Sequence, residues 1–251
     1  MRMIAKRGSA GFSLIELAIV MVIIAFLVSG AILPLSSTID RARIKEARVE
    51  LDERIRSALL GYAASRPLGT VFMPCPDCRA ACGGALPNDG IEDRDGGGLC
   101  AVDVGNLPWV TLGLGEADPW GSRYGYGVTP DFADSANGFT LTAPDLTAAG
   151  VGASVQDGAG NFLVGSAGTE GTVVIVWSAG KNRYGAVSEQ GVVQSAPPAA
   201  NADEVENANG DALFISRPVD LQGGAEQFDD ILIWLSGPEV RGFMVQAGRL
   251  P

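Results

Sequence analysis

The sequence predicts an α+β chain in which one long N-terminal helix, membrane-spanning and then amphipathic, packs on an antiparallel β-sheet head. Three observations carry that expectation. Residues 12–33 form a run of 22 residues with a single charge, Glu16. Residues 35–66 place apolar side chains at three- and four-residue steps among mixed charges, the period of a helix with one buried face. Beyond residue 67 lie short apolar runs separated by Gly, Pro, Asn and Asp, the pattern of short strands and turns. The chain divides accordingly into a basic leader that is cleaved off (1–11), a transmembrane and assembly helix (12–34), the amphipathic half of that helix (35–66) and a β-rich head (67–251). Within the head, residues 70–108 read as a disulfide loop.

Length and charge set the first element. Twenty-two helical residues rise about 33 Å, enough for a hydrocarbon core of about 30 Å. Arg2, Lys6 and Arg7 precede the run, which keeps the N-terminus cytoplasmic and sends the rest outward. In a secretory signal peptide the small residues follow the apolar region. Here Gly8, Ser9, Ala10 and Gly11 precede it, so a cut after Gly11 leaves the apolar segment on the chain. Glu16 then becomes the fifth residue. A carboxylate at membrane depth costs about 2–3 kcal/mol and needs a partner. The new amine at Phe12 of a neighbouring subunit is such a partner, and snorkelling to the headgroups is the plainer alternative.

The string Gly11-Phe12-Ser13-Leu14-Ile15-Glu16, with the apolar run behind it, resembles the processing motif of type IV prepilins and type II secretion pseudopilins. The resemblance implies the pilin fold, cleavage after Gly11 by a prepilin peptidase, methylation of the Phe12 amine and a docking role for Glu16. It also implies further partners: other pilin or pseudopilin subunits through the stem helix, an inner-membrane assembly platform with its ATPase, and membrane lipid. The implied location is the bacterial inner membrane, crossed once with the head in the periplasm, then an extracellular filament or pseudopilus after assembly.

Gly30 and Pro34 weaken a helix interior, Pro by about 3 kcal/mol, and predict a kink or soft stretch. Past them Ile39, Ile44, Ala47, Leu51, Ile55, Leu59 and Tyr62 make an apolar face, expected to pack on the head's sheet. Pro67 and Gly69 end the helix.

Four cysteines in an exported head point to disulfides. A zinc site would usually show a second Cys-x-x-Cys pair, and a redox motif would open a helix; Cys100 stands alone, and Pro74 and Pro76 flank Cys75. Of the three possible pairings, Cys75–Cys100 with Cys78–Cys82 is preferred, since the outer bond closes the long loop and the inner one is a small clip. Residues 88–96 have the acids and glycines of a calcium loop without the EF-hand spacing, and a solvated acidic loop is the favoured reading.

In the head, Asp118-Pro119-Trp120-Gly121 is turn chemistry, with Trp120 expected to anchor the turn to the core. Strands are expected at 122–128, 138–143, 172–178, 184–188, 191–195 and 228–235, with 172–178 central because it is almost wholly apolar. Residues 144–170 and 196–211 read as loops, and Pro238 opens a short helix through about Gln246. The turn, the segment Trp177-Ser178-Ala179-Gly180-Lys181-Asn182 and the segment Phe228-Asp229-Asp230-Ile231 together resemble the head of the major-pseudopilin group. That resemblance implies calcium, held by Ser178, Asn182, Asp229 and Asp230, with Asp203 or Glu204 as additions. Lys181 departs from the group's acid at its position, and an ion pair from Lys181 to Asp229 or Asp230 is the metal-free alternative. The cysteine-rich loop and the long segment 183–228 look more like a minor pilin.

Composition excludes several function classes. The chain has no His, so His triads and His metal ligands are out. Removing the leader's three cations takes the formal charge from −11 to −14, which repels nucleic acid. No nucleophile motif or phosphate-cradling loop is present, so an enzyme is not expected. The expected function is a structural subunit of the minor kind in a type IV pilus or type II secretion pseudopilus. The alternative is a membrane-anchored, adhesin-like binding module that uses the stapled loop.

Overall fold

The computed structural model describes residues 13–84, 86–147, 151–165, 170–222 and 224–251, leaving aside the side chains of 28–35 and 225. Gly11 and Phe12 lie outside the described residues. The chain forms two units, residues 1–42 and 43–251. In the first, helix α1 (Leu14–Val49) begins and continues through Gly30 and Pro34. Its described side chains from Leu14 to Leu27 are apolar apart from Glu16 and are exposed on every side. Among the described residues no helix is long and apolar enough to cross a membrane; the described side chains of the apolar run stop at Leu27.

The second unit is a mixed helix-and-sheet head. After α1 come a π-helical segment (Glu50–Ile55) and α2 (Arg56–Ala64). Ala47, Leu51, Ile55, Leu59 and Ala63 are all buried in one core cluster. A step of four residues over-rotates an α-helix by about 40°, so four such steps would carry the apolar row roughly 160° around the axis. The wider π turn removes much of that drift and keeps the row facing the sheet.

That sheet has the order β1 (Val104–Asn106), β2 (Gly125–Val128), β5 (Thr172–Ser178), β7 (Ile231–Ser236), every pair antiparallel. Val174 and Val176 of β5 enter the core on the stem side, while Ile175 and Trp177 join Val155 and Phe214 in a second cluster on the opposite face. The second cluster is roofed by a smaller sheet, β4 (Phe162–Val164), β3 (Ser154–Gln156) and β6 (Leu213–Ile215), in which β3 and β6 run parallel. Burial on both faces explains why β5 is an unbroken apolar run. Two further helices complete the head, α4 (Ala202–Ala208) and α5 (Gly237–Gln246), besides the single turn α3 (Trp109–Leu112). Arg56 bonds Glu239 and ties α2 to α5.

The structure corrects part of the expected strand pattern. Residues 138–143, 184–188 and 191–195 make only isolated bridges, Val71↔Phe139, Ser122↔Ser188 and Val187↔Val193. Residues 144–170 and 196–211 are not plain loops, since they contain β3, β4 and α4. Three-residue strands and a seven-residue helix in Gly- and Asn-rich sequence have no periodicity of their own; packing against Trp177 and Ile175 selects the small sheet, and bonds between Asn207 and the Ile215 backbone hold α4 to β6.

Candidate functional site

The N-terminal motif is described from Ser13 onward. The Ser13 N–H donates to Glu16 Oε2 at 3.2 Å, and the Glu16 N–H donates to Ser13 Oγ at 3.4 Å. This reciprocal pair is a capping box at the start of α1. The Ser-x-x-Glu spacing is the sequence signal for this cap, which the charge of Glu16 alone does not reveal. Glu16 remains exposed, so its second oxygen stays available to another chain.

The disulfide loop is stapled as Cys75–Cys100 and Cys78–Cys82, with Cα–Cα distances of 5.2 and 6.4 Å. Cys78, Cys82 and Asp93 approach as a metal trio would, but both sulfurs are spent on each other. The acids of 88–96 are likewise committed inside the chain. Glu92 accepts from the Tyr62 hydroxyl at 2.6 Å and the Cys75 N–H at 3.0 Å, and pairs with Arg94 at 2.9 Å. Asp93 accepts from the Cys78 N–H, and Asp95 from the Gly97 and Leu99 N–H groups. These bonds fasten the loop to α2 and to itself. Burial beside Glu92 pushes the Tyr62 hydroxyl up to about 12, so it donates at any physiological pH.

Asp77 is fully buried, and neither of its oxygens has a hydrogen-bond partner of good geometry. Burial, with Asp93 and Asp89 nearby, pushes it up to about 6. Its backbone exchanges two hydrogen bonds with Asn106, at 3.0 and 2.8 Å, and so locks the loop to β1.

At the other end of the sheet, Ser178, Asn182, Asp229 and Asp230 fall in one region, but not as one ligand shell. The Ser178 hydroxyl donates to Asp118 Oδ2 at 2.5 Å. Asp118 also accepts from the Trp120 and Ser122 N–H groups, so this bond holds the turn at 118–121 against the end of β5. Asn182 uses its amide to donate twice to Glu204, at 2.8 and 2.7 Å, and its backbone N–H to Asp229 Oδ2 at 3.0 Å. Three carboxylates converge instead: Glu204 from α4 with Asp229 and Asp230 from the approach to β7. One oxygen of each lies within 4.8 Å of the others, and all three residues are buried. Glu204, expected only as an addition to the set, is brought in by α4, a helix with no periodicity in its sequence.

Burial is the main cause that pushes Asp229 up to about 7, with Glu204 adding to it. Asp230 lies well above the usual carboxylate range for the same reason, despite the 2.7 Å bond from Asn207. Asp229 Oδ1 is buried without a partner. Three hard oxygen donors around an unmatched buried oxygen fit a divalent cation of the calcium type. Gly180 makes the approach possible. Its φ is +59°, and a Cβ there would meet the Asp229 carbonyl oxygen at 2.3 Å.

Comparison with known proteins places the first of these features. Residues 6–32 match the family model of the prokaryotic N-terminal methylation motif. Neither a curated protein nor a solved structure matches the chain. The motif marks structural subunits rather than enzymes, and it implies processing by a prepilin peptidase and assembly with other pilin subunits. Over residues 6–32 this chain carries the N-terminal signature of type IV pilins and pseudopilins.

Proposed function

We propose that the chain is a minor subunit of a type IV pilus or type II secretion pseudopilus, anchored in the inner membrane by residues 12–34 before it enters the filament. One observation carries this reading beyond the motif. The start of α1 exposes apolar side chains all round, with Leu14 at 88%, Ile15 at 70% and Leu27 at 69%. Surface of that kind needs lipid or a bundle of like helices to cover it. The stapled loop and the long segment 183–228 support a minor role. The test is intact mass and N-terminal sequencing of the membrane-extracted protein, made with and without a prepilin peptidase. A peptidase-dependent start at Phe12 with one added methyl group is expected. A Met1 start in both samples means a plain signal anchor, and a start beyond Leu33 means an ordinary secreted domain.

Calcium at Glu204, Asp229 and Asp230 belongs to the same proposal, with Asn182 holding Glu204 in place. Calcium titration of the chelator-treated protein is expected to raise its melting temperature, and Asp229→Asn to abolish that rise; an unchanged melting temperature would remove the metal from the reading.

A specific observation also favours the adhesin-like reading of the stapled loop. Leu86, Ile91 and Leu99 are exposed on it, at 72%, 51% and 42%. Changing the three to Ser leaves the staples and the Glu92 bonds intact. Lost surface binding with normal filaments supports this role, and unchanged binding removes it.

A further inference from the structure

The short clip of the stapled loop brings together the ligands of a second kind of site. Cys78 and Cys82 each offer a sulfur, and Asp93 an oxygen, within 4.8 Å of one another. Asp93 Oδ2 lies 3.8 Å from Cys82 Sγ. Two ligands on a tetrahedral zinc, with Zn–S of about 2.3 Å and Zn–O of about 2.0–2.2 Å, stand about 3.5–3.8 Å apart. The sulfur–oxygen distance already has that value. Only the two bonded sulfurs stand too close, and breaking their bond lets them separate. The three residues between the cysteines fall within the range of zinc-binding pairs.

Cys78 and Asp93 keep their places without the clip. The Cys78 N–H donates to Asp93 Oδ2 at 2.8 Å, and the Cys78 carbonyl oxygen accepts from the Asn88 N–H at 2.9 Å. The Asp93 N–H donates to the Pro76 carbonyl oxygen at 3.1 Å. Cys82 precedes Gly83 and Gly84, both at positive φ, and is half-buried where Cys78 is buried. It is the sulfur that a thiol can reach and that has room to shift. The site is also short of positive charge. Arg79, between the two cysteines, is committed to the Asn106 side chain and the Gly185 carbonyl oxygen. Burial, and beyond it Asp89 and Glu92, push the Asp93 carboxyl up from its ordinary value.

We infer that the Cys78–Cys82 clip is a redox-gated zinc site, in which reduction frees both sulfurs and Zn²⁺ then binds Cys78, Cys82 and Asp93, with water in the fourth place. A dithiol is the reductant. One of its thiolates attacks Cys82 Sγ, the sulfur–sulfur bond breaks and Cys78 leaves as a thiolate. The second thiolate of the dithiol then attacks the dithiol's own sulfur in the mixed disulfide and releases Cys82. Two electrons pass from the dithiol, which ends as a disulfide, to the clip. Zn²⁺ holds both sulfurs as thiolates and displaces the protons they carry. Soft thiolate ligands select zinc here, whereas the all-oxygen trio of Glu204, Asp229 and Asp230 suits calcium.

The test uses the full-length chain in detergent, reduced with a phosphine and then freed of it, with Co²⁺ as the spectroscopic stand-in for zinc. The reduced chain is expected to develop a thiolate-to-cobalt charge-transfer band that added zinc abolishes, and the oxidised chain to show none. The carboxylate trio has no sulfur and gives no such band. Asp93→Asn is expected to weaken zinc binding by about tenfold or more, with the band retained. Cys78→Ser/Cys82→Ser, reduced in the same way, is expected to show no band; a band there assigns the metal to Cys75 and Cys100 and overturns the site. No band in the reduced wild type, or equal zinc affinity in Asp93→Asn, overturns it as well. A measurement on the wild type alone guards against a variant that fails to fold. Zinc is expected to protect Cys78 and Cys82 of the reduced chain from iodoacetamide, mapped by mass spectrometry, and equal alkylation with and without zinc overturns the site.

Discussion

At the scale of single residues, the head's behaviour turns on groups that burial has placed under strain. Asp77 is the clearest. Its carboxylate is pushed up to about 6 in the folded chain, above its ordinary value near 4. The folded state therefore holds the proton more tightly than the unfolded one. The stability this confers is complete below about pH 4 and is lost as pH rises through about 6. Asp77→Asn keeps the neutral form at every pH. Melting temperatures measured in chelator are expected to fall between pH 4.5 and 6.5 for the wild type and to fall less steeply in the variant, where Asp229 and Asp230 still titrate with the same sign; parallel curves would show that Asp77 does not titrate there. Gly125 is a second such position. A Cβ on it would lie 2.1 Å from the Trp177 ring, so β2 can pass the indole only as glycine. Gly125→Ala is expected to cost about 1–3 kcal/mol, read as a lower urea midpoint with an unchanged slope.

At the scale of elements, the stapled loop and the stem are each held by one main device. Cys75–Cys100 joins residues 25 apart in sequence and closes the loop that carries Glu92 and Arg94 onto α2. Replacing both cysteines with Ser is expected to lower stability by about 3 kcal/mol in the loop-entropy account. Cys78–Cys82 spans only 4 positions, so its loss should cost less. Urea unfolding of the two double variants gives the order directly, and equal losses would mean that strain or contacts, rather than loop length, dominate. In the stem, the π segment keeps a four-residue apolar row on one side, which is why Leu51 and Ile55 are both buried although the row would drift in a regular α-helix.

At the scale of the whole molecule, the filament reading gives the carboxylate at the start of α1 two duties. Glu16 caps α1 through Ser13 and, in the filament reading, meets the Phe12 amine of another subunit. Glu16→Ala removes both. Glu16→Gln keeps a capping acceptor and removes the charge. Cleavage after Gly11 is expected in both variants, with incorporation into filaments lost in both. Restored incorporation in the Gln variant would assign Glu16 to capping alone. Immunoblots of sheared filaments beside N-terminal sequencing of the membrane fraction separate the two outcomes.

The N-terminal half of this organisation was readable from the residues because local chemistry and a short period specify it. Gly11 before an apolar run, a lone Glu16, four-residue apolar steps and the stops at Pro67 and Gly69 need no distant partner. The central strand Thr172–Ser178 and the helix opened by Pro238 were legible for the same reason, and the two cysteine pairs because one long bond and one short clip close a single loop. The small sheet and α4 were not, and of the carboxylate trio Asp229 and Asp230 were named through the resemblance while Glu204 stood only as an addition beside Asp203. Each depends on residues far apart in sequence: Glu204 reaches Asp229 across 25 positions, and Ser178 reaches Asp118 across 60. The sequence by itself determined the helix, the methylation motif at its start and the dominant strand, because their signals lie within a few turns of chain. Only the tertiary structure decided which acids meet and which glycines lie against rings, because those outcomes follow from what the second layer of the head packs upon.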